Sequence, residues 1–321
     1  MQYTTLGRTG LKVSVAGLGC GGASRLGLAR GKSRSEAADL VRAALDLGIN
    51  LIDTARIYGT EEVIGGALKG IGRDSVVLCT KHLVKEGSRL YSPDEVVAGL
   101  NESLRCLGTD DVDVFYIHGL SLDRYDHAIN NVLPALRREQ EKGKFRFLAA
   151  SEAPPQEPRH QGTVKALEDD LFDVFMLAFS MVNQTARELV FPKTLKQRVG
   201  TTLMFVVRAI FADKALLRAT VRELVEKGDL PRELAAKDDP LDFLLHAGGA
   251  RSHTDAAYRY ARHEPGVDVV LFGTGSIEHM RENVASILAP PLPDADRARL
   301  QELFGKLVGV GLHNHANPPQ R

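Results

Sequence analysis

Eight short apolar runs alternate along this chain with segments that carry helix signals, and that alternation leaves few folds open. The runs are Val15–Gly19, Asn50–Asp53, Val76–Thr80, Val112–Ile117, Phe145–Ala150, Asp173–Phe179, Thr202–Val207 and Val267–Phe272. They have strand lengths, too short for helices. Between them, Ser33 and Glu36 form a capping box for a helix that Gly48 stops. Ser92-Pro93-Asp94-Glu95 opens another helix, which runs to Leu107 before Gly108. Further helices are expected near 61–68, 128–143, 164–167, 184–198, 253–263, 276–288 and 294–308. Strands joined by helices pair in parallel, because a parallel connection needs a crossover. Runs that are apolar throughout fit strands buried on both faces. The pattern predicts a closed (β/α)8 TIM barrel, with an open doubly wound sheet as the alternative. Residues 2–13 read as a hairpin around Gly7-Arg8-Thr9-Gly10, ahead of the barrel.

No linker, repeat or low-complexity segment divides the chain, so residues 1–321 are expected to form a single domain. A longer excursion at 210–252 follows the seventh run, and a tail at 309–321 is expected over the barrel mouth. Lys+Arg and Asp+Glu both number 41, so no excess charge argues for nucleic acid or an acidic membrane as partner. No apolar run is long enough to span a bilayer, and no basic-then-apolar signal segment opens the chain. Cys20, Cys79 and Cys106 form no CxxC pair, which suggests reduced thiols and a cytoplasmic protein.

In a parallel barrel the reacting groups stand at the carboxyl ends of the strands and on the loops that follow. Here those positions hold Gly19 to Gly21 after the first run, Asp53 and Tyr58 after the second, Lys81 after the third and His118 after the fourth. Ser151 follows the fifth, Arg208 the seventh, and Gly273-Thr274-Gly275-Ser276 the eighth. Taken singly, a lysine is usually a solvated charge and a histidine or tyrosine a structural residue. Four such groups on one rim suggest chemistry. A phenol has a pKa of about 10, and a nearby ammonium lowers it. Lys81 is the candidate ammonium, Asp53 the carboxylate that keeps it cationic, and His118 the group that orients a carbonyl oxygen. Together they make a proton donor aimed at a developing alkoxide.

The run Asp53-Thr54-Ala55-Arg56-Ile57-Tyr58-Gly59, the pair Thr80-Lys81 and the pair Ile117-His118 resemble the aldo-keto reductase superfamily. The opening Leu6-Gly7-Arg8-Thr9-Gly10-Leu11-Lys12-Val13-Ser14 is similar to that family's N-terminal hairpin, and Phe272–Ser276 with Glu282-Asn283 to its last loop and helix. The resemblance implies a catalytic tetrad of Asp53, Tyr58, Lys81 and His118. It also implies a nicotinamide cofactor, NADPH with NADH possible, and hydride transfer with Tyr58 as general acid or base. Cofactor contacts are expected from Cys20, Gly21, Asp53, Ser151, Glu152, Arg208, Gly273, Thr274, Gly275, Ser276 and Asn283. The pyrophosphate would meet the 273–276 loop, where backbone N–H groups and a helix N-terminus favour an anion. Ser151 is kept from the family's Ser-Asn pair, but Glu152 replaces the Asn, and Met176 stands where a Gln is usual. Gly273 and His279 stand where NADPH-specific members carry a basic residue, with Arg281 close by.

The expected activity is reduction of an aldehyde or ketone, or oxidation of a sugar or alcohol. The alternatives are a cofactor-binding sensor or partner protein of the same fold, and an isomerase or aldolase acting through Lys81. A small-molecule pocket is expected from Gly119–His127, Ala209–Leu230 and Val310–Asn317. His313-Asn314-His315 is read as loop rather than as part of a metal site.

Overall fold

A computed structural model describes residues 1–312, so His313, Asn314 and His315 lie outside the described residues. Eight parallel strands close into a barrel, as expected: β1 (Ala16–Gly19), β2 (Leu51–Asp53), β3 (Val77–Leu83), β4 (Val112–Leu120), β5 (Phe145–Glu152), β6 (Val174–Ala178), β7 (Gly200–Met204) and β8 (Val269–Phe272). Each strand bonds its sequence neighbour, and β8 returns to β1. Both capping boxes form, Ser33 with Glu36 and Ser92 with Glu95, and Pro93 takes the first turn. Among the described residues, no helix is long and apolar enough to cross a membrane.

The barrel has a floor. The hairpin strands Tyr3–Thr5 and Lys12–Ser14 pair antiparallel beneath it. Leu6, Leu11 and Val13 pack upward against Val114, Val174 and Val269 in the lumen. Gly7 lies against the start of β7 with φ +48°, and a Cβ there would stand 2.1 Å from the Gly200 nitrogen. Glycine alone permits that closeness. With the floor plugged, a ligand has access from the carboxyl ends of the strands.

Strand starts on the floor are tied by aspartates. Asp113 accepts from the Leu78 N–H at 2.9 Å, Asp173 from Leu148 at 3.3 Å and Asp268 from Thr201 at 2.9 Å. Asp173 and Asp268 immediately precede β6 and β8, Asp113 is the second residue of β4, and each bonds the strand before its own. These bonds satisfy buried N–H groups at the floor that would otherwise be costly.

Several elements depart from the sequence expectation. β3, β4 and β5 run on to Leu83, Leu120 and Glu152, so Lys81, His118 and Ser151 lie inside strands rather than after them. β7 ends at Met204 rather than Val207, because Phe205 turns into the left-handed region at φ +63°. The helix expected at 184–198 divides into Ala186–Leu189 and Phe191–Gln197; Pro192 cannot donate the N–H that would bridge them. A small hairpin, Lys85–Glu86 with Arg89–Leu90, extends the loop after β3.

Asp268 gives the floor a pH dependence. Burial raises its carboxyl to about 6, above the ordinary 3.8, against bonds from Thr201 and Gly7 and attraction from Arg262. A carboxyl raised on folding contributes stability that is present below the unfolded pKa and lost as pH rises through the folded one. Asp268→Asn keeps an acceptor for Thr201 and removes the charge. The variant is expected to gain about 2 kcal/mol on the wild type between pH 4 and pH 8. Denaturant melts at the two pH values check this; a difference that does not change with pH overturns it.

Candidate active site

β2 and β3 pair with Asp53 beside Cys79, so Lys81, two residues on, points into the lumen on the same face. Its ammonium donates to the two Asp53 oxygens at 2.6 and 2.7 Å and to the Thr54 carbonyl at 2.7 Å. Those bonds account for all of its protons. Lys81 is 0% exposed and Asp53 4% exposed. Burial works against Lys81's charge, but attraction from Asp53 and Tyr58 and the bond to Asp53 carry it above the ordinary lysine range. Burial pushes the Asp53 carboxyl up while Lys81 pulls it down. The short bonds hold the pair ionised.

Tyr58 ends a single turn, Arg56–Tyr58, that follows β2 and is closed by Gly59 at φ +70°. Its ring rests on Gly21, where a Cβ would stand 2.5 Å from a ring carbon. The Lys81 ammonium lies 5.3 Å from the ring centroid. His118 meets Tyr58 edge-on, with ring centroids 5.7 Å apart and planes at 89°. All four residues of the expected tetrad therefore stand at one end of the lumen.

The electrostatics differ from the sequence reading in one respect. A lowered phenol pKa was expected at Tyr58. Burial instead raises it above 10, and Lys81 only opposes the rise. Tyr58 is thus a protonated donor at neutral pH. Burial, with repulsion from Lys81 and His82, drives His118 down to about 3. Its imidazole is neutral, and its Nδ1 is buried with no partner among the described residues. That leaves Nε2 as the ring atom available to a ligand.

A cavity of about 970 Å³ opens above the tetrad and is lined there by Asp53, Tyr58, Gly21, Met176 and Met204. Gly273, Thr274, Glu282 and Asn283 line its far side, with Arg251 and Ser252 reaching it from the excursion. Arg251 was not singled out in the sequence, because nothing in the excursion's composition marks where it returns to the barrel. Arg208 also lines the cavity; its guanidinium lies 4.1 Å from the Phe205 ring centroid and donates to the Leu312 carbonyl at 3.5 Å.

Other expected contacts stand elsewhere. Cys20 is buried, and its N–H donates to the Asp53 carbonyl at 2.8 Å. Ser151 Oγ accepts from the Gly119 N–H at 3.0 Å. Gly275 packs on Gly27, where a Cβ would meet the Gly27 Cα at 2.8 Å. The Ser276 N–H is taken by Thr274 Oγ1 at 3.0 Å, and Ser276 Oγ caps the following helix at His279. Glu152 turns away from the cavity: its carboxylate pairs with His160 at 2.5 Å and accepts from Thr163 at 2.9 Å and from the Ala178 N–H at 2.9 Å. His160 donates or accepts at Thr185 with its other nitrogen, at 2.8 Å. This buried network ties β5 to β6 and to the 153–163 segment.

The profile of the Aldo/keto reductase family matches residues 17–304. The chain belongs to that family. It is an NAD(P)-dependent oxidoreductase, and the family and fold imply carbonyl reduction. It is 35% identical over 161 residues to L-galactose dehydrogenase of Arabidopsis thaliana, a match covering 48% of this chain and 49% of that protein. It is 27% identical over 304 residues to aldo-keto reductase YhdN of Bacillus subtilis, covering 88% of each. In fold it is similar to the holo form of aldo-keto reductase AKR11C1 from Bacillus halodurans, with a TM-score of 0.71, 24% identity and coverage of 95% and 96% of the two chains.

The geometry of Glu152 predicts a stability effect without a cofactor effect. Glu152→Ala is expected to cost about 3 kcal/mol, by stranding His160 and the Ala178 N–H. The variant's NADPH dissociation constant, read by fluorescence titration, is expected within about twofold of wild type. A large loss of affinity in a protein of unchanged melting temperature would show that Glu152 reaches the cofactor.

Proposed function

We propose that this protein interconverts a small aldehyde or ketone, or a sugar lactol, with its reduced or oxidised partner, and that Tyr58 moves the proton. The observation that carries this reading is the Lys81 ammonium, fully committed to Asp53 and Thr54 and 5.3 Å from the Tyr58 ring at the bottom of an open cavity.

The residues present fit a nicotinamide dinucleotide. Gly21 and Gly273 leave the near and far walls of the cavity without side chains, and Thr274, Asn283, Arg208 and Arg251 offer polar groups along it. Those residues would hold the cofactor, which when bound supplies or accepts the hydride. Arg251 is the cation we assign to a 2′-phosphate, which favours NADPH; Asp255 holds that guanidinium at 3.0 Å, and Glu282 stands on the same wall, so NADH is the competing ligand.

In reduction Tyr58 donates its proton to the carbonyl oxygen. Lys81 stabilises the phenolate left behind through space, since its own protons are committed elsewhere. His118 supplies a neutral N–H that orients the same oxygen. In oxidation Tyr58 accepts the proton as the phenolate, and its raised pKa moves that form to higher pH. Met176 and Leu271 give the floor of the cavity an apolar surface that excludes water around the transfer. The match to L-galactose dehydrogenase supports a sugar hydroxyl as one substrate class.

Tyr58→Phe is expected to lower kcat by about 10³-fold and leave NADPH affinity within about twofold. Retained turnover would rule out Tyr58 as the proton donor. A fluorescence titration with NADPH and NADH decides the cofactor, and Arg251→Ala should weaken NADPH alone. Because His118 is held neutral with a pKa of about 3, kcat for reduction should show no limb between pH 5 and 8 that His118→Gln abolishes. Such a limb would mean that His118 titrates in the working enzyme.

A further inference from the structure

Tyr116 belongs to neither the expected tetrad nor the cavity wall, yet the barrel register pairs it directly with Lys81. It stands two residues before His118 on β4, is 0% exposed and points into the lumen. The Lys81 ammonium lies 5.5 Å from its ring centroid and 5.3 Å from that of Tyr58. A buried cation is thus flanked by two aromatic rings. The Tyr116 hydroxyl is buried and has the Thr202 hydroxyl on β7 as its polar neighbour. That contact does not account for the ring that faces Lys81. Nor can the Tyr116 hydroxyl accept from Lys81, whose protons all go to Asp53 and Thr54.

We propose that Tyr116 is a positioning residue for proton transfer, its ring face holding Lys81 cationic and in place beneath Tyr58. The proposal rests on the assignment of Lys81 and Tyr58 made above. The physical basis is the aromatic quadrupole, which attracts an ammonium at this range and most strongly where water is excluded. The other groups around Lys81 fit. Asp53 faces it from β2, Cys20 from the position just after β1, Cys79 from its own strand, Tyr58 from the loop after β2 and His118 from β4. Burial pushes both thiols up and His118 down, so all three are neutral. Asp53 then supplies the balancing charge, the Thr54 carbonyl takes the third proton, and the two rings add to the attraction. Removing one ring leaves burial less opposed. Lys81 loses its proton more readily, the Tyr58 phenolate loses support, and Tyr58 becomes a weaker acid.

The test compares Tyr116→Phe, which keeps the ring, with Tyr116→Met, which removes it; Tyr116→Leu serves as a second ring-free variant should the methionine variant not fold. For the ring-free variant, kcat for reduction is expected to fall about tenfold, with KM and NADPH affinity within about twofold of wild type. The alkaline limb of kcat for oxidation should rise by about one pH unit. Tyr116→Phe should match wild type in all of these. A second measurement needs no turnover: the Lys81 ε-carbon resonance, assigned with Lys81→Arg, should titrate about one pH unit lower in the ring-free variant and unchanged in Tyr116→Phe. An unmoved pH profile and an unmoved Lys81 titration without the ring would overturn the proposal, as would equal shifts in both variants. If wild type shows no turnover with any carbonyl, the oxidoreductase reading fails, and the Lys81 titration still decides the role of Tyr116.

Discussion

The ion pair between Asp53 and Lys81 is the interaction on which the rest of the site depends. Two charges taken out of water are costly, and losing one partner of such a pair costs about 3–5 kcal/mol. The fold meets that cost by placing Asp53 at the end of β2 and Lys81 two residues past the register partner of Asp53 on β3. The Thr54 carbonyl completes the ammonium's shell. Everything else follows the position of that ammonium: Tyr58 lies over it, Gly21 leaves room for the Tyr58 ring, and His118 is kept neutral partly by its field. The pair is therefore less a source of stability than a fixed positive point around which neutral groups are arranged.

Much of this arrangement was legible in the sequence. Strand order, the two capping boxes and the four tetrad residues all rest on local signals: apolar runs of strand length, Ser-x-x-Glu at helix starts, a polar residue where each run stops. What was not legible depends on contacts between distant segments. The end of β7 was misplaced because Val206 and Val207 continue the apolar run, while the backbone turns at Phe205. Glu152 follows Ser151, so its position suggested a cofactor contact. Only the fold brings His160, Thr163 and Ala178 to its carboxylate. Tyr58 was expected to be acidified because an ammonium lies near it, but burial, the larger influence here, has no local sequence signal.

The cavity joins parts of the chain with different freedoms. One side is set by the barrel strands, whose residues pack on both faces and change little without loss of the core. The other is set by Arg208, Ile210, Arg251 and Ser252, on the excursion and its flanks. Chemistry is thus assigned to the rigid side and recognition of what is bound largely to the variable side, in keeping with loops that carry specificity on a fixed scaffold.

The aspartates at the floor carry a consequence for how such a chain can change. Asp113, Asp173 and Asp268 each lock a strand to the one before it at the end remote from the chemistry. A strand slipped by one residue would turn its lumen side chains outward. It would also strand a buried carboxylate, so misregistered barrels are penalised twice. Insertions and deletions in the rim loops then act on the mouth alone. Alignment of the strands is decided at the opposite end, and the loops over the cavity can be replaced while Asp53, Lys81 and Tyr116 keep their places.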